Sequence, residues 1–133
     1  MLGEPIGELK GKITGQRVVG VEGPTMETSI AASGSIRGIQ VRETLTYLGR
    51  PRSKGVLHGI GNGIMMTADG DMATYTGEGI GGIDPSGSIN WRGAIYFGSS
   101  STGKLAFLNN VVGVFEASID AEGNFSDKTW EWK

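Results

Sequence analysis

Few side chains in this sequence could do chemistry. Among 133 residues there is no cysteine and one histidine, so thiolate nucleophiles, disulfides and cysteine-based metal sites are absent and zinc lacks its usual ligands. Neither a metal nor a cofactor is expected. Carboxylates remain. Glu78 stands between two glycines in Gly77-Glu78-Gly79. On an apolar strand face with Ile80 and Trp91 it would lose solvation, and its raised pKa would suit a general acid or base. On a solvated face, or beside an arginine, it would be ordinary. Glu116 poses the same choice, with Lys128 as a ready structural partner. Catalytic residues are thus unassigned, with Glu78 and Glu116 as candidates. His58 alone titrates near neutrality without perturbation, but no nucleophile lies near it in sequence and it reads as a surface strand residue.

Binding is the other chemistry available. Trp91, Trp130 and Trp132 would either pack a core or line an apolar cavity, and the candidate ligand-binding set is Met65, Trp91, Ile95, Phe97 and Trp130. Arg37, Arg42 or Arg92 would anchor a ligand carboxylate by a bidentate contact. Two phosphate motifs fail on inspection. Gly77-x-Gly79-x-x-Gly82 lacks the strand-to-helix turn of a dinucleotide fingerprint, and in Gly98-Ser99-Ser100-Ser101-Thr102-Gly103-Lys104 the lysine is followed by Leu105 rather than a hydroxyl residue. Gly34-Ser35 and Gly87-Ser88 have the wrong spacing for a nucleophile elbow.

Strands must position these residues. Gly numbers 24 against 4 Pro, and strand formers fill the gaps between glycines, unlike a disordered linker. Apolar residues at helical spacing never extend beyond two turns, and residues 105–110 are at most one helical turn. Eight segments emerge: 7–21, bent at Gly11 and Gly15; 26–35; 39–48; 55–67; 71–83; 88–98; 104–120, interrupted at Asn109-Asn110; and 124–132. Turns fall at Gly23-Pro24, at 49–53, at Asp69-Gly70, at Asp84-Pro85-Ser86-Gly87 and at Ala121-Glu122-Gly123. Short turns pair consecutive strands antiparallel, and a meander of eight closes to remove its exposed edges. The expected fold is all-β, one domain over 1–133 forming an eight-stranded antiparallel up-and-down barrel.

Register follows from the turns. In the stretch 55–91 glycine recurs at every second residue of two segments, so each row falls on one strand face. A two-residue Asp69-Gly70 turn sets Gly61 opposite Glu78 and Asn62 opposite Gly77, each bulky residue facing a glycine. A three-residue turn would stack glycine on glycine. With the first choice and a four-residue turn at 84–87, one face collects Met65, Glu78, Ile80, Trp91, Ile95 and Phe97, and the other His58, Asn62, Tyr75, Asn90, Arg92 and Tyr96. A three-residue turn at 121–123 pairs Val114 with Trp130 and Glu116 with Lys128. Both faces of that hairpin carry apolar residues, which leaves its inward side open.

The meander, the glycine hairpin and the closing Phe115-Glu116 and Trp130-Glu131-Trp132 resemble the small eight-stranded barrels of the allene-oxide-cyclase-like group, within the wider calycin-like architecture. The runs Gly11-Lys12-Ile13-Thr14-Gly15-Gln16-Arg17-Val18, Trp91-Arg92-Gly93 and Leu105-Ala106-Phe107-Leu108-Asn109 are similar to those of an uncharacterised bacterial and archaeal family in that group. The resemblance implies the fold, an apolar cavity and a homo-oligomer. It carries no activity across, since no catalytic motif of a characterised cyclase matches residue by residue.

A net charge of −2 from 12 basic and 14 acidic residues offers nucleic acid no basic stripe. No segment approaches membrane-spanning length and the first residues lack a leader pattern, so a soluble cytoplasmic protein is expected. Three functions follow from a barrel. It holds a small apolar or amphipathic molecule in a lumen of roughly a few hundred Å³, it is a cofactor-free isomerase or cyclase using a lumen carboxylate, or it is an assembly module with a filled lumen.

Overall fold

The glycine-punctuated segments become eight strands in the computed structural model, which describes residues 2–133. These are β1 Gly7–Gly20, β2 Thr25–Ile36, β3 Ile39–Ser53, β4 Val56–Met66, β5 Met72–Ile83, β6 Ile89–Phe97, β7 Val112–Ile119 and β8 Asn124–Glu131. Each pairs antiparallel with its sequence neighbour, and β1 closes on β8, giving a barrel in the order β1 to β8. Closure gives every strand a neighbour on each side, although β1 meets β8 only through Gly7–Lys12 and pairs beyond that with β2 alone.

Alternation assigns the faces. Leu9 on β1, Ile30 on β2, Val41 on β3, Met65 on β4, Ala73 on β5, Trp91 and Ile95 on β6, Ile119 on β7 and Phe125 on β8 are buried in one core cluster. Three hairpins share one turn. In Thr67-Ala68-Asp69-Gly70-Asp71, Asp84-Pro85-Ser86-Gly87-Ser88 and Asp120-Ala121-Glu122-Gly123-Asn124, the first residue's N–H donates to the fifth carbonyl and its carbonyl accepts from the glycine N–H. The first side chain also accepts from the fifth N–H, at 3.0, 3.2 and 2.9 Å respectively. The glycines have φ of +92°, +86° and +87°, a left-handed conformation in which a Cβ is strained. This is a type I turn followed by a glycine bulge.

The shared turn corrects two expected registers. Met66 pairs with Met72 and Ile83 with Ile89, one residue away from the pairings expected of two- and four-residue turns. Gly59 and Gly61 therefore lie opposite Gly79 and Gly77, and every side chain expected on the faces of β5 changes side. Ile80 and Glu78 turn outward and Tyr75 turns inward. The last hairpin has the expected register, Val114 with Trp130 and Glu116 with Lys128. The turn expected at 49–53 is instead strand, and the chain reverses at Lys54-Gly55. Residues 104–111 are not strand but enclose a 3₁₀ turn, Ala106–Leu108, and Asn110 takes φ +63°.

That 3₁₀ segment closes one end of the barrel. Leu105 and Leu108 are fully buried there. Asp71 holds the segment, accepting from the Leu105 N–H at 2.7 Å and from the Ser101 hydroxyl at 2.7 and 2.8 Å. No described helix is long and apolar enough to cross a membrane.

Candidate functional site

Large and small side chains alternate around the lumen, which lets rings fill a narrow barrel. Trp91 stands between Gly81 and Ala117, and Tyr47 between Thr28 and Gly61. A Cβ on Gly59 would come within 2.8 Å of the Trp91 ring and one on Gly81 within 2.9 Å. Among the stacked glycines Gly59 thus receives the Trp91 ring and Gly61 Tyr47, while Gly77 meets Ile95 and Gly79 meets Phe115; in the same row Gly63 takes the Tyr75 ring from across its own hairpin. Tyr47 and Trp91 meet edge to face, with centroids 5.3 Å apart.

A cavity of about 90 Å³ remains, lined by Tyr47, Met65, Tyr75, Trp91, Ile95 and Phe115 among others. It has room for a few water-sized groups and is smaller than the few hundred Å³ expected, because the rings occupy the rest. Two carboxyls face it. Glu43 on β3 is 3% exposed and sits between Ala32 and Met65. Asp127 on β8 sits between Leu9 and Ala117. The Tyr75 hydroxyl donates to Glu43 Oε2 at 2.6 Å, while the Leu9 N–H donates to Asp127 Oδ1 at 3.2 Å. Two buried atoms have no hydrogen-bond partner among the described residues, Glu43 Oε1 and Trp91 Nε1. Tyr47 approaches Trp91, but without hydrogen-bond geometry.

Burial governs the protons. It raises the Glu43 carboxyl to about 7, against the downward pull of the Tyr75 hydroxyl. Burial, then the nearby Glu43 charge, raises Asp127 well above the usual carboxylate range. Burial and the Glu43 charge raise Tyr75 also. A carboxyl titrating near neutrality can give or take a proton at little cost.

Of the residues expected in the site, Met65, Trp91 and Ile95 line the cavity. Phe97 is buried just beyond it, edge to face with Tyr75 at 5.7 Å. Trp130 departs from expectation. Strand alternation puts Phe125, Asp127 and Thr129 inside and Trp130 on the outer wall, where its indole donates to the Gly3 carbonyl at 3.1 Å. Glu78 is also outside, its side chain 61% exposed and 2.6 Å from His58 Nε2. Glu116 is exposed on the same wall, with Arg92 and Lys128 as its cross-strand neighbours. Arg37 lies at the β2–β3 turn, bonded to Glu131 at 2.7 Å, and neither Arg42 nor Arg92 faces the cavity.

Glu43, Tyr75 and Asp127 are the candidate site residues that sequence reasoning missed. The signal for Glu43 was present. Ile39-x-Val41-x-Glu43-x-Leu45-x-Tyr47 is an apolar row of period two with one carboxylate inside it. A much larger concavity, about 1180 Å³, is open and bordered by Glu8, Lys10, Arg92, Glu116 and Lys128. Those five charges are exposed, and the concavity shares Trp91 and Asp127 with the lumen; the orphaned Glu43 oxygen faces the lumen alone, which makes the smaller space the better site despite its size.

Fold and lumen together define a small, closed, eight-stranded antiparallel β-barrel. No protein-family model and no curated protein matches the chain. Two crystal structures share its architecture. A protein of unknown function from Clostridium acetobutylicum superposes with a TM-score of 0.78 at 15% identity, over 98% of both chains. A conserved protein of unknown function from Rhodopseudomonas palustris gives 0.75 at 14% identity, over 96% of this chain and 95% of its own. At these identities the likeness is one of fold.

Proposed function

We propose that the barrel binds a small amphipathic molecule in its lumen. The observation that carries this reading is the pair of unpaired polar atoms, Glu43 Oε1 and Trp91 Nε1, buried in a largely apolar barrel. An unmet buried hydrogen-bonding group costs roughly 1–3 kcal/mol, and a ligand that meets both recovers that cost. The closed meander and its lumen also support our placing the barrel with the allene-oxide-cyclase-like group. Native mass spectrometry of protein taken directly from cell extract tests the binding reading. A retained added mass of small-molecule size, lost on Glu43→Gln, is expected; bare protein in both cases would overturn it.

A second reading is favoured by one observation. Glu43 titrates at about 7 beside a tyrosine hydroxyl, the arrangement a cofactor-free isomerase or cyclase would use to move a proton. Here Glu43 replaces Glu78 and Glu116 as the acid–base candidate. Exposed Ile60, Tyr96 and Trp132 on the outer wall, 54, 53 and 69% accessible, support self-association of the barrel.

A further inference from the structure

The lumen is unbalanced in charge. Two carboxyls, Glu43 and Asp127, face it, and no lysine, arginine or histidine is among the described residues that line it. Glu78 borders the cavity, but its side chain is turned to the outer surface and to His58. Around Glu43 the titratable groups are Tyr75 from β5 and Asp127 from β8, while β2 and β4 present Ala32 and Met65. None of these supplies a positive charge. One carboxylate oxygen of Glu43 accepts from Tyr75 and the other accepts from nothing.

The rest of the wall has the matching character. Tyr47, Tyr75, Trp91, Phe115 and Phe125 surround the same space, and aromatic faces attract cations through their quadrupoles. Trp91 Nε1 is a donor with no acceptor. The cavity asks for two things at once, a cationic donor for Glu43 and an acceptor for Trp91. An anion would meet two carboxyls, and a purely apolar molecule would leave both orphan atoms unpaired.

We propose that the lumen takes a small protonated amine that also carries a hydrogen-bond acceptor, its ammonium group against Glu43 and Asp127 and its acceptor on the Trp91 indole N–H. The assignment rests on the lumen-binding reading and names its ligand class. A volume of about 90 Å³ limits the occupant to a few heavy atoms unless a ring swings aside. Binding requires Glu43 to ionise, so occupancy is tied to pH. With its carboxyl at about 7, Glu43 is roughly one-tenth ionised at pH 6 and nine-tenths at pH 8, while an alkylammonium stays charged at both.

Ethanolamine is the probe, with ethylene glycol as its neutral counterpart and ethylammonium as the amine without an acceptor. Each is titrated into ¹⁵N-labelled full-length protein while the lumen amides and the Trp91 indole signal are followed. Ethanolamine at pH 8 should bind at least tenfold more tightly than ethylene glycol, and about tenfold more weakly at pH 6 than at pH 8. Glu43→Gln should lose at least tenfold of that affinity. Asp127→Asn, assayed in parallel, reports on the same charge should Glu43→Gln unfold the chain. Trp91→Phe keeps the aromatic wall and should weaken ethanolamine without weakening ethylammonium. Ethylene glycol binding as tightly as ethanolamine, or an ethanolamine affinity unchanged between pH 6 and 8, would overturn the ammonium assignment while leaving the lumen as a binding site. No lumen shift with any probe, together with bare protein in native mass spectra, would overturn both.

Discussion

Between its ordinary value of 4.5 and about 7, the Glu43 carboxyl keeps a proton in the folded barrel that it has already lost in the unfolded chain. The folded state binds more protons across that window, so stability falls as pH rises through it and levels off above it. A raised carboxyl of this size corresponds to about 3 kcal/mol. Asp127, raised for the same cause, adds in the same direction. Glu43→Gln is therefore expected to be more stable than the parent at pH 8 and close to it at pH 4.5, as read by urea unfolding at the two pH values. A parent whose stability does not fall between them would contradict the burial of an ionisable Glu43. Tyr75→Phe acts oppositely. It removes the only donor to Glu43 among the described residues, which should raise the carboxyl further and cost roughly 1–3 kcal/mol, measurable in the same unfolding experiment. The surface aspartates have a separate window. Asp84 is lowered chiefly by the Ser86 hydroxyl and Asp120 by the Asn124 amide, so what they contribute is lost as pH falls below the ordinary carboxylate range.

Turn chemistry decided which strand faces could be read from sequence. Asp84-x-x-Gly87-Ser88 and Asp120-x-x-Gly123-Asn124 are the same five-residue device, and Thr67-x-x-Gly70-Asp71 is its hydroxyl form. Reading one of them as a three-residue turn gave the observed pairing of Val114 with Trp130 and Glu116 with Lys128. Reading the other two as four- and two-residue turns slipped the pairing by one and moved Glu78 inward and Tyr75 outward, because a strand's faces alternate with period two. The eight strands and their closure were legible because glycine turns and β-branched runs are local signals. The site was not, because its polar groups come from β3, β5 and β8, and only register brings these together. Gly123→Ala tests the turn. Its φ of +87° strains an alanine, and a loss of about 1 kcal/mol or more is expected by thermal unfolding. Gly81→Ala tests the ring packing. A Cβ there lies 2.9 Å from Trp91, so the indole must shift, at roughly 1–3 kcal/mol and with a changed near-ultraviolet circular dichroism signal. Unaltered stability and spectrum would show that Trp91 does not rest on the glycines.

At the scale of the whole barrel, both unsatisfied buried side-chain atoms among the described residues belong to residues that line one lumen. One end is plugged by Leu105 and Leu108 on a segment held by Asp71. Asp71→Ala should release that plug and speed amide hydrogen exchange across residues 101–111, with the strands little affected; uniform protection in the variant would mean that the leucines hold the segment unaided. The wall above the plug is lined by rings resting on glycine, and it leaves Glu43 as a carboxyl facing a cavity with no cationic side chain among the described residues that line it. The proposed binding, proton transfer and ammonium preference all rest on this acid being buried and titrating near neutrality. The direct measurement is the ¹³C carboxyl shift of Glu43 followed by NMR across a pH titration, assigned by comparison with Glu43→Gln. A midpoint at about 7 is the expected result. A midpoint at the ordinary 4.5 would place Glu43 in water and contradict the account of the lumen as the site.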